Sequence, residues 1–526
     1  MQIANDYDVI VAGGGPGGIM AALASARMHV KTLLVERSAF LGGSATLSRI
    51  GPISPFHYKD EQVVHGLPQE FVDGLVKAGG ATGHMKCLNS HGTGDYVCVY
   101  DHEVYKMAAR NMLLDAGVDL LFHAVVSSVV KEGNCLKGVR ISSRFGCREI
   151  RGRIVIDATG DGDVACLAGE AFVYGDGQGK AQPSSAMFEM ANVDTERLYR
   201  YILENRKEFG RLSDLVPFRD TRYRDRKFFV AQGYQSLVDQ AKASGELVFG
   251  RENIHTTTGL RPGIMHFNTA RISNYDTTDL FARSESELEG GRQIESVAGF
   301  MVNHVPGYEH AYISSTGNEV GVRESRHICG VYRLTGEDIL TARRFPDVIA
   351  RGLFAVDIHG RKAGEDGDIR GRMRKKGQEA DGLGREQQQN GNIQGAGGLW
   401  KELRDAYDIP YRILVPARTD GLLLAGRCVS ADYVAFSSLR VQGTLMGYSQ
   451  AAGYAAALCV RENLHPRDLP ADLLQKQLVL SGASPYRDPE RKKAEEAYAT
   501  ERVRAFLAAR PVLITPECFL EKYREA

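Results

Sequence analysis

Asp357 and His359, in the run GLFAVDIHG, have the residue types and spacing of a proton-transfer pair. One residue separates them, so on a strand both side chains would point to the same face. A histidine titrates near neutral pH, and a neighbouring aspartate can fix its tautomer. His359 follows an apolar, strand-like run, which ranks it above the other histidines as a candidate general acid or base.

The charged run EVGVRESRHICG, residues 319–330, supplies a second group of candidates. On a helix, Arg323 would share a face with both Glu319 and Arg326. Arginines bind carboxylates or enolates bidentately. Arg323 and Arg326 therefore either anchor two parts of the chain to each other or face a substrate, and both readings stay open. The remaining candidates, each with a structural role as its alternative, are His304, His310 and His327.

The N-terminal segment must position such residues, and it has the pattern strand, glycine turn, helix, strand. Val9–Val11 form the apolar run of a buried parallel strand, and Gly13, Gly15 and Gly18 follow as G-x-G-x-x-G. An alanine-rich helix comes next, and the second strand ends at Glu36. These glycines permit a tight turn and a close approach to a pyrophosphate, while an acid at this distance accepts hydrogen bonds from a ribose. The segment therefore predicts dinucleotide binding.

Later segments decide which dinucleotide is expected. A second glycine pair stands in RSAFLGGSAT, and two apolar strands end in ATGDGD and in AGR. The run 440–460 then reads as a helix with small residues on its packed face. Together and in this order, these segments resemble the nucleotide-binding motifs of two-domain FAD enzymes.

The chain resembles the FAD-dependent oxidoreductases of the glutathione-reductase-type superfamily, in the branch near the fumarate reductase and succinate dehydrogenase flavoproteins. The motifs that carry the resemblance are Gly321–Arg326, Ala425-Gly426-Arg427 with Ser430, and Ala451-Ala452-Gly453. It covers about residues 6–360 and 408–465. It implies an α/β fold, in which a three-layer Rossmann-type FAD-binding domain with a parallel sheet is interrupted by an inserted α+β substrate or cap domain.

The resemblance also implies which residues contact FAD. The pyrophosphate and the adenosine end would meet Gly13, Gly15, Pro16, Gly17, Gly18, Glu36, Arg37 and Val126. The ribose, ribityl chain and flavin would meet Gly42, Gly43, Ser44, Ala45, Thr159, Gly160, Asp161, Gly426, Arg427, Gln442 and Gly443. A helix that starts near Gln442 would direct its positive end at the flavin, where negative charge settles on reduction. Arg440, just before it, would add to this charge or bind an anionic substrate.

The same reasoning divides the chain into five parts. Residues 1–180 and 411–470 are expected to form the FAD-binding domain, with the cap domain at 181–345 between them. Residues 346–410 form a junction that contains a glycine-rich, charged loop at 360–400, and 471–526 form a helical extension. The active site is expected where the cap faces the flavin.

Composition limits the possible partners. The 65 basic residues balance the 65 acidic ones, which gives no electrostatic case for nucleic acid or anionic membranes. No apolar run is long enough to span a bilayer, and the start lacks a signal-peptide pattern, so a cytoplasmic location is expected. The nine cysteines contain no C-x-x-C pair, which argues against disulfides, an iron–sulfur cluster and a zinc site. No metal is predicted, and the C-terminal extension leaves a homodimer possible.

These observations predict hydride or two-electron transfer between a small organic substrate and FAD, by a dehydrogenase or a reductase. Noncovalent FAD is favoured because GGSATLSR contains no histidine or cysteine. One alternative is an enzyme like the flavin monooxygenases and halogenases, since ATGDGD is similar to their Gly-Asp loop. That class needs a reductant, and the chain has no second strand–GxGxxG–helix unit for NAD(P)H. Another alternative is an electron-transfer subunit, and the electron donor or acceptor stays unknown.

Overall fold

The computed structural model describes residues 4–88, 96–217, 223, 226–360 and 399–509. The helices of this part are α1 Pro16–Arg27, α2 Leu67–Lys77, α3 His102–Asp115, α4 Asp163–Leu167, α5 Thr195–Glu204, α6 Gln235–Ser244, α7 Leu280–His304, α8 Gly336–Leu340, α9 Tyr433–Leu439, α10 Gln442–Glu462, α11 Ala471–Leu480 and α12 Pro489–Ala509. Short 3₁₀ turns at Gly43–Ala45 and Gly426–Cys428 border the site described below. No helix among these residues is long and apolar enough to cross a membrane.

The strands carry the labels β1 to β23 in chain order. They are β1 Asp6–Ala12, β2 Thr32–Val35, β3 His57–Tyr58, β4 Glu61–Gln62, β5 Met85–Cys87, β6 Tyr96–Val97, β7 Asp119–Leu121, β8 Val125–Glu132, β9 Cys135–Ser143, β10 Gly146–Asp157, β11 Phe172–Tyr174, β12 Ser184–Ala191, β13 Arg211–Pro217, β14 Phe229–Gly233, β15 Ile254–Thr258, β16 Met265–Ile272, β17 Tyr312–Thr316, β18 Arg326–Ile328, β19 Val348–Gly352, β20 Val356–Ile358, β21 Leu399–Lys401, β22 Tyr407–Pro410 and β23 Leu422–Leu424.

The first sheet is built around β1, whose residues from Val9 onward are buried. The strand order is β7-β2-β1-β10-β9-β8, and β23 pairs with the end of β10. Strands β7, β2, β1, β10 and β23 pair in parallel, while β9 pairs antiparallel with the first half of β10. The carboxyl ends of the parallel strands therefore meet at one edge, where α/β sheets bind nucleotides. The predicted α/β fold is confirmed.

Two helices cross closely on this sheet because one of them has a glycine at the contact. A side chain on Gly453 of α10 would place its Cβ 2.1 Å from the carbonyl oxygen of Ala21 in α1. The Ser25 hydroxyl donates to the Gly453 carbonyl at 3.1 Å. The predicted small-residue helix at 440–460 is confirmed as α10, and its small face meets α1 as well as the sheet.

The second sheet belongs to the cap and is antiparallel, with the order β17-β12-β16-β15-β14-β13-β5-β6. Its core includes the stacked rings of Phe188 and Phe267, with α5, α6 and α7 packed against it. Strands β5 and β6 join this sheet although they lie within residues 1–180. The predicted boundary at 180 therefore does not separate the two sheets, because the cap takes its edge strands from an earlier segment.

Residues 317–330 do not form a helix, so the helix face that the spacing of Arg323, Glu319 and Arg326 would create is not present. Gly321 forms an isolated bridge with Ser185 of β12, and the short strand β18 begins at Arg326. Arg323 and Arg326 therefore do not share a helix face. Thr335 and Asp338 have the sequence spacing of a capping box, and they form one at the start of α8.

The C-terminal segment is helical over α11 and α12, as predicted for 471–526, up to residue 509. Most of the predicted glycine-rich loop, residues 361–398, lies outside the described residues, as do residues 510–526. The end of that loop returns as β21, which pairs with β20 beside the candidate active site.

Candidate active site

The glycine turn after β1 has the close backbone approaches that its sequence predicts. Gly13 has a φ of +103°, and a Cβ there would lie 2.4 Å from the carbonyl oxygen of Ala158. A Cβ on Gly18 would lie 1.8 Å from the carbonyl oxygen of Gly13. A Cβ on Gly17 would lie 2.9 Å from Gly426, and Pro16 begins α1. Only glycine fits these three positions, and the turn opens directly onto the N-terminus of α1.

Glu36 follows β2 and is buried beside this turn. Its carboxylate accepts hydrogen bonds from the amides of Gly14, at 2.7 Å, and Ser38, at 2.8 Å. The amide of Ala124 donates to the Glu36 carbonyl, so the start of β8, with Val126, lies next to it. The residues predicted to contact the adenosine end of FAD are thus adjacent. Arg37 differs from them because its side chain forms an ion pair with Glu319.

The second glycine turn lies against the first. The Gly42 amide donates to the Gly14 carbonyl at 2.8 Å, and a Cβ on Gly43 would lie 2.8 Å from the Gly15 Cα. Ser44 and Ala45 continue this turn, and the Ala45 carbonyl accepts a 2.8 Å hydrogen bond from the Tyr100 hydroxyl. The two turns face each other across the edge of the sheet.

Thr159, Gly160 and Asp161 follow the carboxyl end of β10 and meet the turn after β23. Arg427 forms an ion pair with Asp161 at 3.1 Å, and the Ser325 hydroxyl donates to the same carboxylate at 2.5 Å. Burial alone would raise the pKa of Asp161, but Arg427 and Ser325 lower it below its ordinary value. Asp161 is therefore held ionised by protein groups.

Arg326 belongs to this same network. Its guanidinium donates to the Asp161 carbonyl at 3.2 Å and forms an ion pair with Asp163 at 3.0 Å. Both contacts join β18 to the turn after β10. The geometry favours the anchoring alternative for Arg326 over contact with a substrate.

Arg323 is in a different environment. Its guanidinium donates to the Pro183 carbonyl at 2.5 Å, and no carboxylate among the described residues forms an ion pair with it. Burial and the nearby Arg440, Arg251 and Arg271 hold the pKa of Arg323 well below its ordinary value. The side-chain contact of this buried guanidinium is therefore a backbone carbonyl and not a carboxylate.

Asp357 and His359 lie together beside Arg323, on and just after β20. The Nε2 atom of His359 is 3.3 Å from Oδ2 of Asp357, which confirms that their side chains meet. Arg440 approaches the same Oδ2 at 3.2 Å and donates to the Asp357 carbonyl at 3.1 Å. Burial is the main cause that lowers the pKa of His359 to about 4, and Arg323 adds to it. The imidazole is therefore neutral at neutral pH and can accept a proton.

The other candidate histidines lie elsewhere. His304 ends α7 and pairs with Glu246 at 2.6 Å on the outer side of the cap, so the structure does not bring it to the arginines. His310 offers its carbonyl to Asn192. His327 is buried against Phe436 and hydrogen-bonds to Glu324. The structure favours the structural alternative for these three.

Sequence reasoning did not single out Arg271, Arg251 and Gln182. Arg271 and Arg251 contribute positive charge from the cap and the segment before β15, and Gln182 lies 3.5 Å from Arg440. They come from separate segments, so no local motif marks them. The sequence marks only Arg271 as unusual, because it is a charged residue within the largely buried strand β16.

Some buried polar atoms near the predicted FAD residues have no hydrogen-bond partner in the protein, as expected where a polar cofactor binds. Three such atoms belong to this region: Nη1 of Arg427, Oε1 of Gln442 and Oγ1 of Thr444. The Gln442 amide donates to the Ile50 carbonyl, and the Gly443 amide donates to that of Ser54 at 3.1 Å. The polar atoms left over and the glycine turns fit a polar, phosphate-bearing dinucleotide.

The comparisons agree with this geometry. The family model described as FAD dependent oxidoreductase matches residues 8–478. The chain therefore belongs to the family of FAD-dependent oxidoreductases, and its cofactor is FAD.

Individual relatives match over shorter segments. Digeranylgeranylglycerophospholipid reductase of Thermoplasma acidophilum is 26% identical over 155 residues, covering 29% of this chain and 39% of that protein. The 3-oxosteroid 1-dehydrogenase of Comamonas testosteroni is 33% identical over 104 residues, covering 20% and 17%. These alignments span less than half of either relative.

Solved structures cover more of the chain at lower similarity. A geranylgeranyl bacteriochlorophyll reductase-like protein of Thermoplasma acidophilum is 15% identical with a TM-score of 0.40, and the match covers 98% of this chain and 95% of the other. A flavin-dependent brominase is 11% identical with a TM-score of 0.41, and the match covers 87% and 80%. Neither likeness indicates a substrate.

Proposed function

We propose that this oxidoreductase transfers a hydride, or two electrons, between FAD and a small organic substrate that carries a carboxylate or an enolate. The observation that carries the proposal is Arg323, a partly buried arginine beside Arg440 and Arg271 with no carboxylate partner among the described residues. A buried guanidinium without an ion-pair partner is costly unless an anion joins it. A substrate anion supplies that partner for Arg323.

The neighbouring groups define how the substrate is held. Nε of Arg440 and Nε2 of Gln182 are buried without a hydrogen-bond partner, so both can donate to a ligand. Asp357 accepts from Arg440 and keeps its guanidinium in place. Arg323 and Arg440 bind the anion, and Gln182 contributes to its orientation.

His359 carries the proton. FAD, when bound, accepts or supplies the hydride, so the protein must remove or deliver the accompanying proton. The neutral imidazole of His359 takes it from a C–OH, a C–NH or an activated carbon, and in the reverse direction returns it. Asp357 stabilises the imidazolium that forms.

The proposed residues for FAD are those grouped above around the sheet edge. Gly13, Gly15, Pro16, Gly17 and Gly18 lie by the pyrophosphate, Glu36 by the ribose, and Gly42 to Ala45 with Gln442 and Gly443 by the flavin. The orphaned atoms of Arg427, Gln442 and Thr444 support this grouping.

Anaerobic bleaching of the flavin tests the proposal. A panel of 2-hydroxy, 2-amino and unsaturated carboxylates is compared with the corresponding neutral amides. Only the carboxylates should bleach the oxidised flavin or, when added to the reduced enzyme, restore its yellow colour. Bleaching by NADPH alone would instead support a monooxygenase, and exchange only with a redox protein would support an electron-transfer subunit.

Two lysine substitutions separate binding from anchoring. Arg323→Lys keeps the positive charge but loses the paired N–H donors of the guanidinium. We therefore expect a substrate KM about 10- to 100-fold higher, with full FAD content. Arg326→Lys is the matched control, and it should lower FAD content or Tm while leaving the KM of the loaded enzyme unchanged. The reverse pattern would place the substrate at Arg326 and contradict the proposal.

The remaining features of the enzyme are part of the same proposal. We place it in the cytoplasm, which the free thiols of Cys98, Cys428 and Cys459 support, and cell fractionation tests this. We also propose a homodimer, which sedimentation tests. FAD is bound noncovalently; flavin that stays with acid-precipitated protein would contradict this.

A further inference from the structure

Outside the proposed substrate cluster, the described residues contain one group with the chemistry of a metal site. It consists of His102, Glu189 and His266, whose ligand atoms all lie within 4.8 Å of one another. His102 begins α3, and the other two residues lie directly opposite each other on β12 and β16 of the cap sheet. We propose that these three residues bind one divalent first-row transition-metal ion.

The hydrogen bond of His102 determines where its lone pair points. Its Nδ1 lies 2.8 Å from the carbonyl oxygen of Ala45, which can only accept, so Nδ1 carries the hydrogen. In the neutral ring, Nε2 then has its lone pair 3.3 Å from Oε1 of Glu189. Two acceptors that face each other need a positive centre between them. A backbone carbonyl that fixes the far nitrogen is a common support for a metal-bound histidine.

His266 supplies the second, independent observation. Its side chain is 8% exposed, and neither ring nitrogen has a hydrogen-bond partner. Nδ1 lies 3.8 Å from the same Oε1 of Glu189. A buried imidazole with both nitrogens unpartnered is costly, and coordination to an ion satisfies one of them.

Glu189 is arranged to offer one oxygen. Its Oε2 accepts from Arg49 at 2.7 Å and from the Ser315 hydroxyl at 3.1 Å. These donors fix the carboxylate and leave Oε1 towards both histidines. Zn²⁺ and related ions bind imidazole nitrogen and carboxylate oxygen at about 2.0–2.2 Å, so one ion between the three atoms needs only small side-chain adjustments. Two imidazoles with one carboxylate favour such ions over Mg²⁺ or Ca²⁺.

The position gives the ion a structural consequence. His102 is held to Ala45, in the turn proposed to run beside the flavin, while Glu189 and His266 belong to the cap. A bound ion therefore fastens the cap sheet to that turn. The cysteine-based argument against a metal does not apply to this set, because it contains no thiolate.

The test measures metal binding in the FAD-loaded protein. After chelator treatment and desalting, the protein is titrated with Zn²⁺ in competition with a chromophoric chelator, and metal content is checked by elemental analysis. We expect about one equivalent per chain. The variants His266→Ala and Glu189→Gln should each retain less than about a tenth of it, and Zn²⁺ should raise the Tm of the wild type but not of these variants.

His255→Ala is the matched control. His255 is also a histidine of the cap sheet, on the neighbouring strand β15, with a buried, unpartnered Nε2. The titratable neighbours that lower its pKa, besides burial, are Arg251, Arg211 and His266, so no carboxylate is among them. This variant should bind Zn²⁺ as the wild type does. Failure of the wild type to bind Zn²⁺ or Co²⁺ would overturn the proposal and leave the three residues as a structural contact between α3 and the cap sheet. Equal binding by His266→Ala would overturn it as well.

Discussion

At the scale of single residues, the site depends on one buried, neutral imidazole with charged neighbours of both signs. Burial lowers the pKa of His359 most, Asp357 raises it, and Arg323 and Arg271 lower it further. An anion bound to these arginines would cancel their effect and raise the pKa of His359. Substrate binding would therefore make the histidine a better base at the moment when a proton must be taken.

The pH dependence of the rate tests this coupling. In the free enzyme His359 is neutral above pH about 4, so kcat/KM should fall only as pH drops towards that value. In the complex its pKa is higher, so the acid limb of kcat should lie at higher pH than that of kcat/KM. Acid limbs of kcat and kcat/KM at the same pH would contradict the coupling between substrate binding and the pKa of His359.

Substitution of the histidines tests the role of His359 directly. His359→Asn removes the proton acceptor, so we expect kcat to fall by about 10²- to 10⁴-fold with FAD content unchanged. His304→Asn is the control, because His304 pairs with Glu246 at the outer side of the cap. Steady-state rates near wild type for His359→Asn would remove the histidine from the mechanism.

At the scale of elements, the crossing of α1 and α10 joins the N-terminal and C-terminal segments that build the FAD-binding sheet. Residues of α1 follow the first glycine turn, and α10 starts beside Gln442 near the proposed flavin site. Their close contact needs Gly453, because any side chain would meet the Ala21 carbonyl.

A pair of alanine substitutions in α10 isolates this contact. Gly453→Ala should lower the free energy of unfolding by about 1–3 kcal/mol through overpacking. Gly447→Ala, in the same helix, meets its nearest atom at 3.6 Å and should be neutral or stabilise by up to about 1 kcal/mol. Chemical denaturation measures the free energy of unfolding of both variants. Equal changes would show that α1 and α10 can move apart without loss of stability.

At the scale of the whole molecule, several buried histidines are neutral in the folded state. Burial is the first cause that lowers the pKa of His65 and His359 to about 4, and it also lowers those of His255 and His266. Unfolding exposes these rings, which then bind protons below pH about 6.5. Asp157 acts in the opposite direction, because burial raises its pKa to about 6.

Stability should therefore fall on acidification. Between pH about 6.5 and 4 the unfolded chain binds protons at the histidines that the folded protein does not, so the free energy of unfolding decreases. The folded protein gains protons before the unfolded chain at Asp157, Asp163 and Glu287, whose pKa values are raised chiefly by burial, and this effect opposes the trend. Thermal melts across this range measure the trend. His65→Asn should flatten the curve, and a Tm that rises on acidification would contradict the prediction.

What the sequence predicts correctly is mostly local. The turn at Gly13 to Gly18, the helix α10 and the capping box at Thr335 each depend on neighbouring residues, so their types indicate their structure. Asp357 and His359 meet because a period of two is a local property of strands.

What the sequence does not predict depends on pairings between distant segments. Arg323 and Arg326 have a spacing that would share one face of a helix, yet the bridge of Gly321 to β12 and the strand at Arg326 place them in separate environments. His102, Glu189 and His266 come together only through the cap sheet and its contact with α3. No spacing in the chain signals that meeting.

The contribution of β5 and β6 to the cap has a consequence for biosynthesis. Cys87 of β5 pairs with Leu215 of β13, so the ribosome must add roughly 130 more residues before that partner exists. At typical elongation rates the delay is on the order of 6 to 26 seconds. During this interval the nascent polypeptide presents an apolar hairpin edge without its neighbour, and such an edge invites mispairing with other chains. Translation speed and chaperone supply over this stretch should therefore influence the yield of native enzyme.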